Sequence, residues 1–220
     1  MSFGTGHPLA YPICVTIGAL ATSLAWAPFA DPDQVAALAV VALGIIGYTA
    51  YRLAVALWIF RIGSMETPRT VDISRVRQQH RLVSRSWLEI HDTAEPRWLP
   101  VYFEPVLMTI TAGQADFTDR SVRIAGHRVY PSGRLRDTEP PGRLLDNPTR
   151  PDPDATALTT TATRIVRRLL LDAQATVAAP FVGLFWVYVA GGGLGAFTGA
   201  VCIAAASTIW FAAISGSDPS

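Results

Sequence analysis

The densest set of side chains able to do chemistry is Glu89-x-His91-Asp92, where a carboxylate and an imidazole two residues apart share one face if the segment is a strand. Such a pair can hold a divalent metal or serve as a general base. A metal centre needs more donors than this, and His7, His80 and His127 supply none at ligand spacing. A surface strand of mixed polarity is therefore the expected reading of these residues. Asp116 and Asp119 form a second carboxylate pair, but in Gln114-Ala-Asp-Phe-Thr-Asp119 they suit a turn between strands. No serine sits in a G-x-S-x-G elbow. All 18 basic residues are arginine, so neither a phosphate-binding P-loop lysine nor a Schiff-base amine is present. Cys14 and Cys202 both fall in apolar runs and read as small packing residues. No catalytic residue, cofactor site or metal site is expected, and the chain is not expected to be an enzyme.

The elements that would position any site are dominated by the membrane. Half of the residues are hydrophobic, and the charge is confined to the middle of the chain. Before Arg52 only Asp31 and Asp33 are ionised, and after Asp172 only Asp218. Crossing a bilayer takes about 20 apolar residues of helix. Residues 9–30 meet that with no charge, and 35–60 do so with Arg52 as the one flaw. Asp31-Pro-Asp-Gln34 breaks the two with a helix-starting Asp and Pro. Residues 173–190 and 194–214 form a second pair, joined by Gly191-Gly-Gly193. Arg52 lies about two turns from the end of its run, where a long side chain can snorkel toward the headgroups. The first run ends in Ala25-Trp-Ala27, like a signal-peptide cleavage site, but it is too long for a signal h-region and is expected to remain as a span.

The fold class implied is a membrane α-helical protein, with four transmembrane helices in two hairpins and a small mainly-β cytoplasmic domain inserted between them. Five segments follow: residues 1–60 as the first hairpin, 61–85 as a basic juxtamembrane helix, 86–137 as the β domain, 138–159 as a Pro-rich linker, and 160–220 as a juxtamembrane helix with the second hairpin. Within 61–85, Val71, Ile73, Val76, Leu82 and Val83 alternate with Arg75, Arg77, Gln78, Gln79, His80 and Arg81, which suits a mildly amphipathic helix. From Ser86 onward, 87–90, 97–103, 106–111, 121–124 and 127–130 are short β-branched and aromatic runs. Ala125-Gly126 offers a tight hairpin turn between the last two. A β domain of this size is expected to need membrane helices or a partner to complete its core.

Arginine placement sets the orientation. Arg61, Arg69, Arg75 and Arg77 follow the second run, Arg164, Arg167 and Arg168 precede the third, and neither hairpin turn carries a basic residue. The positive-inside rule then places the domain and both ends of the chain in the cytoplasm, in a multi-pass plasma-membrane protein. These arginines, with Arg52, are expected at the membrane surface near anionic lipids. The arginine excess is too modest to indicate nucleic-acid binding. Gly191, Gly195 and Gly199 recur every four residues, which lines one helix face for close packing against the third helix or a partner.

The stretch Gln78-Gln-His-Arg-Leu-Val-Ser-Arg-Ser-Trp-Leu-Glu89, followed by Arg97-Trp-Leu-Pro-Val-Tyr-Phe-Glu-Pro-Val-Leu107, resembles a family of conserved actinobacterial transmembrane proteins. In particular, it is similar to the LucB-like accessory subunits of Mce-type lipid importers. That resemblance implies a non-catalytic subunit bound to the importer's permease in the membrane, with the ATPase and the lipid tunnel on other chains. Two alternatives remain open at this point. One is a small transporter or channel formed by self-assembly, and the other is a membrane enzyme using Glu89, His91 and Asp92.

Overall fold

The computed structural model describes residues 6–60, 68–92, 95–145 and 153–220. It contains four helical runs long and apolar enough to cross a membrane, and an antiparallel β domain between the second and third. These features make the chain a multi-pass membrane protein.

Helix α1 (Ala10–Trp26) continues through a short 3-10 turn to Phe29. Helix α2 (Pro32–Ala56) starts as its sequence signals require: Asp31 is the N-cap, and its carboxylate accepts from the Gln34 backbone N–H at 2.8 Å. Proline at the first helical position satisfies the same start. The third run, Ile165–Ala190, is segmented. Helix α4 (Ile165–Ala173) leads through a 3-10 turn (Gln174–Ala178) into α5 (Ala179–Ala190), whose Pro180 occupies the first turn where its missing N–H costs little. Helix α6 (Gly193–Ile214) completes the set and is the hub of the bundle, packing on α1 and α5. Its central contact cluster joins Tyr11, Val15 and Ala19 of α1, Ile45 of α2, and Trp210, Ala213 and Ile214 of α6 itself.

The β domain comprises β1 (Arg69–His80), β2 (Val83–Ile90), β3 (Arg97–Val101), β4 (Ala112–Thr118), β5 (Ser121–Ile124), β6 (His127–Val129) and the short β7 (Arg143–Leu144). The order is β3-β2-β1-β4-β5-β6, with β7 pairing the far end of β1, and the sheet curls into a half-barrel. Alternation fixes which face turns inward. Val71 and Ile73 of β1, Leu88 and Ile90 of β2, Leu99 and Val101 of β3, and Phe117 of β4 fill the interior. Val55 of α2 belongs to the same core, and Ala56 packs with Leu9 and Tyr102 beside it. The domain is therefore closed by the membrane helices, and its own strands do not complete its core.

Several sequence expectations are corrected here. Residues 61–67 lie outside the described residues, but 69–80 form a strand where a juxtamembrane helix was expected, so the domain begins well before Ser86. The hairpin joining β1 to β2 turns at Arg81-Leu82, with Arg81 at φ 58°, and no Gly, Asn or Asp announces it. Residues 106–111 do not form a strand: Pro105 opens a 3-10 helix (Pro105–Thr109) that plugs Leu107 into the core. The expected linker holds β7 and helix α3 (Ala155–Ala162), with Asp154 at its N-cap position, while 146–152 lie outside the described residues. Asp116 lies within β4, where it accepts a hydrogen bond from Thr70 at 2.7 Å, and does not form part of the turn.

The turn at Ala125-Gly126 forms as its sequence suggests, closing the pair Ile124↔His127 with φ of 50° and 81°. Two left-handed residues define a type I′ loop, which prefers Asn-Gly to Ala-Gly. Replacing Ala125 by Asn should raise stability by about 1 kcal/mol, read as an increase in Tm in detergent.

Candidate functional site

The polar chemistry of the described residues concentrates where the β domain meets the membrane helices. Gly216 has φ +84°, which turns the chain sharply at the end of α6 and sends it back along the domain. A Cβ at this position would lie 2.6 Å from the Ser132 hydroxyl, so both conformation and space require glycine. The following residues add to the sheet: Ser217 bridges Arg85, the Asp218 N–H donates to the Ser84 carbonyl at 2.9 Å, and the Ser84 hydroxyl donates to the Asp218 carbonyl at 2.6 Å.

This return places Asp218 beneath β1 and β2. Its carboxylate is fully shielded and meets the Arg75 guanidinium at 2.9 Å, with the Ser86 hydroxyl bonded to the same oxygen. The Ser220 N–H and hydroxyl donate to the other oxygen at 2.9 and 2.6 Å. Burial opposes the charge of Asp218, but Arg75 and the Ser220 and Ser86 hydrogen bonds outweigh it and hold the carboxyl below the usual carboxylate range.

A second network ties α4 to α1. The Asp172 Oδ2 accepts from the Tyr11 hydroxyl at 2.6 Å and the Ser217 hydroxyl at 3.0 Å. The Arg168 guanidinium lies 3.8 Å from the centre of the Tyr11 ring. Arg167 donates to the Pro219 carbonyl at 3.2 Å. Residues 217–219 are thus held from two sides, by the sheet and by α4.

On the other side of α6, Arg52 donates to the Ile214 carbonyl at 3.2 Å and lies 3.4 Å from the Tyr48 hydroxyl. The Tyr102 hydroxyl donates to the same carbonyl at 2.9 Å. A guanidinium at the negative end of a helix is favourably placed. Burial, then the positive charges of Arg52 and Arg136 with Tyr48 opposing, holds the Arg85 guanidinium below its ordinary value. Glu104 moves the other way: burial raises its carboxyl and His127 partly offsets this.

The sequence-predicted residues are distributed as follows. Arg75, expected to be exposed, is buried in the ion pair with Asp218. Arg77 donates to the Ser220 hydroxyl at 3.0 Å, and Arg52, Arg167 and Arg168 are likewise held by protein groups. Arg164 is exposed at the start of α4, and Arg61 lies outside the described residues. Glu89, His91 and Asp92 do not converge on a common centre. The His91 ring bonds Ser74 at 3.0 Å, while Asp92 pairs with Arg97 and Arg69. Among the described residues no group of three or more metal-ligating side chains forms.

The glycine stripe also divides. Gly191, at φ +73°, belongs to the turn before α6, and Gly195 faces open space. Gly199 packs on Trp26 of α1, 3.1 Å from where its Cβ would sit, and not on the third run. Close approach of α5 to α6 instead depends on Gly183, where a Cβ would lie 2.5 Å from Val201. Between the hairpins, at the end away from the β domain, an apolar groove of about 600 Å³ is lined by Leu38 and Val41 of α2, Phe185 and Trp186 of α5, and Gly195 and Ala196 of α6.

No family model, curated protein or solved structure matches the chain.

Proposed function

We propose that this chain is a non-catalytic accessory subunit of a larger membrane complex, a Mce-type lipid importer, binding the permease through its membrane helices and holding its β domain at the cytoplasmic face. The observation that carries the reading is the fixed mounting of the domain. Its core is closed by Val55 of α2, and residues 217–219 bind it to α6 and α4. Within this junction Asp218 is bonded to Arg75 and Ser86, and Asp172 to Tyr11 and Ser217, which suits a brace. The groove between the hairpins is the place for a permease helix, because small residues at its floor allow close backbone approach.

Copurification tests this directly. An epitope inserted at the exposed Asp119-Arg120 turn leaves the buried residues after α6 undisturbed. Permease subunits should co-elute in mild detergent, and a chain that runs alone would refute the proposal. Gly195→Leu projects into the groove from a position where a Cβ has no atom of the chain within 4 Å, so it should preserve folding and lower permease recovery about tenfold, an overpacking cost of ~1–3 kcal/mol. Gly199→Leu collides with Trp26 and should lower the stability of the chain itself.

A further inference from the structure

Three arginines from separate elements gather where the end of α2 approaches β2 and the loop that follows β6. Arg52 comes from α2, Arg85 from β2, and Arg136 from the loop that follows β6. Arg85 shares a strand face with Trp87, two residues on, and the Arg136 guanidinium lies over the Trp87 ring at 5.8 Å. The chain at 131–136 folds back across β3, pairing Arg136 with Trp98 and Pro131 with Val101. This brings Gly133 within 3.8 Å of the Arg52 guanidinium and 3.0 Å of Pro100, measured from the position a Cβ would take.

Three other arginines of the domain have carboxylates: Arg75 has Asp218, and Arg69 and Arg97 share Asp92. Among the described residues no carboxylate forms an ion pair with Arg52, Arg85 or Arg136. Arg52 and Arg85 are half-buried and Arg136 is exposed, so the group is shielded from behind and open in front. Like charges gathered without a counter-ion disfavour the folded state unless an anion joins them.

The surroundings identify the anion. Tyr48 stacks on Phe211 at 5.7 Å, with Trp210 edge-on at 5.9 Å and Tyr51 at 6.3 Å. Aromatic rings of this kind mark the headgroup level at the ends of membrane spans. Guanidinium forks match phosphate oxygens in pairs, and in a bilayer the phosphates lie at this depth. We propose that Arg52, Arg85 and Arg136 form a binding site for the phosphate of an anionic phospholipid, the headgroup entering in front of Arg136 and its acyl chains running down beside Tyr48 and Tyr51. The site requires only that the four helices lie in a bilayer, and so stands independently of the complex the chain joins.

Native mass spectrometry of the full chain released from detergent tests the site. Phosphatidylglycerol should be retained in preference to phosphatidylcholine. Arg136→Gln and Arg85→Gln should each weaken that retention about fivefold, the loss expected for one arginine at an anionic surface. Arg123→Gln, an exposed arginine of β5 away from the cluster, should leave it unchanged. Arg136 is exposed, so its substitution leaves the core intact even if that of Arg85 perturbs folding. Equal retention of the two lipids would overturn the proposal, as would wild-type retention in the Arg85→Gln/Arg136→Gln double variant. Displacement of the lipid by millimolar inorganic phosphate would also overturn it, because the cluster would then be a site for free phosphate.

Discussion

Replacing Asp218 with Ala should destabilise the chain by about 3–5 kcal/mol, the cost typical of stranding one member of a buried ion pair. Arg75 has 7% of its side chain exposed and Asp218 has none, so neither charge can fall back on water. The hydroxyls of Ser86 and Ser220 and the Ser220 N–H lose their acceptor in the same step. Thermal unfolding in detergent reads the loss. Replacing both partners together, Arg75→Met with Asp218→Leu, should recover most of it, because no bare charge remains. The pH dependence has a definite sign. The Asp218 carboxyl in the folded chain lies below its unfolded value of about 3.9. Its contribution is therefore complete above that value and is lost as pH falls through the folded one. Asp218→Asn should flatten the acid limb of the stability curve, and an unchanged limb would count against the ion pair.

Asp172→Ala is expected to have the second largest effect, a loss of about 3 kcal/mol. Asp172 is 4% exposed, and a single one of its oxygens accepts from both Tyr11 and Ser217. Its removal leaves two buried hydroxyls without an acceptor and Arg168 without its nearby negative charge. Tyr11→Phe removes one donor and keeps the ring under Arg168, so it should cost about 1.5–3 kcal/mol, the range for a hydrogen bond to a charged group. Ser217 sits between the two networks, bonded to Asp172 and bridged to Arg85. The Asp172→Ala/Asp218→Ala double variant should therefore lose less than the sum of its parts. Full additivity would show that the networks are separate.

How much of this was legible in the sequence depends on how local the signal is. The four spans, the Asp31 cap and the Ala125-Gly126 turn rest on residues adjacent in sequence, and each is found in place. Strand β1 resembles a helix in sequence because interior polar residues break its alternation. Arg75 faces the half-barrel interior and Gln78 is buried on the other side, while Arg81 takes a left-handed turn with no glycine to mark it. The partner that permits Arg75 to be inside lies 143 positions further on, beyond any periodicity. One clue was present: Asp218 is the only ionised residue after Asp172, and a solitary acid beyond an apolar helix needs a reason to be there. The arginine cluster was equally hidden, since Arg85 and Arg136 gain their meaning only once the chain at 131–136 folds back over β3. Of the glycine stripe, Gly199 meets Trp26 of α1 and not the third run, because helix rotation is set by such bulky contacts.

The return of the chain at Gly216 also bears on biogenesis. The sheet strands are synthesised before α6, yet Asp218, which pairs with Arg75 and bonds the edge of β2 at Ser84, follows it. Native closure of the domain must therefore wait for α6 to insert. It must also insert with its end on the domain's side, because a helix inserted the other way would carry Asp218 across the bilayer. Such a product would keep an open sheet edge and leave Arg75 without the Asp218 carboxylate, both features that invite proteolysis. Completion of the domain thus reports that α6 has inserted correctly, coupling the surveillance of a water-facing fold to the topology of the membrane part.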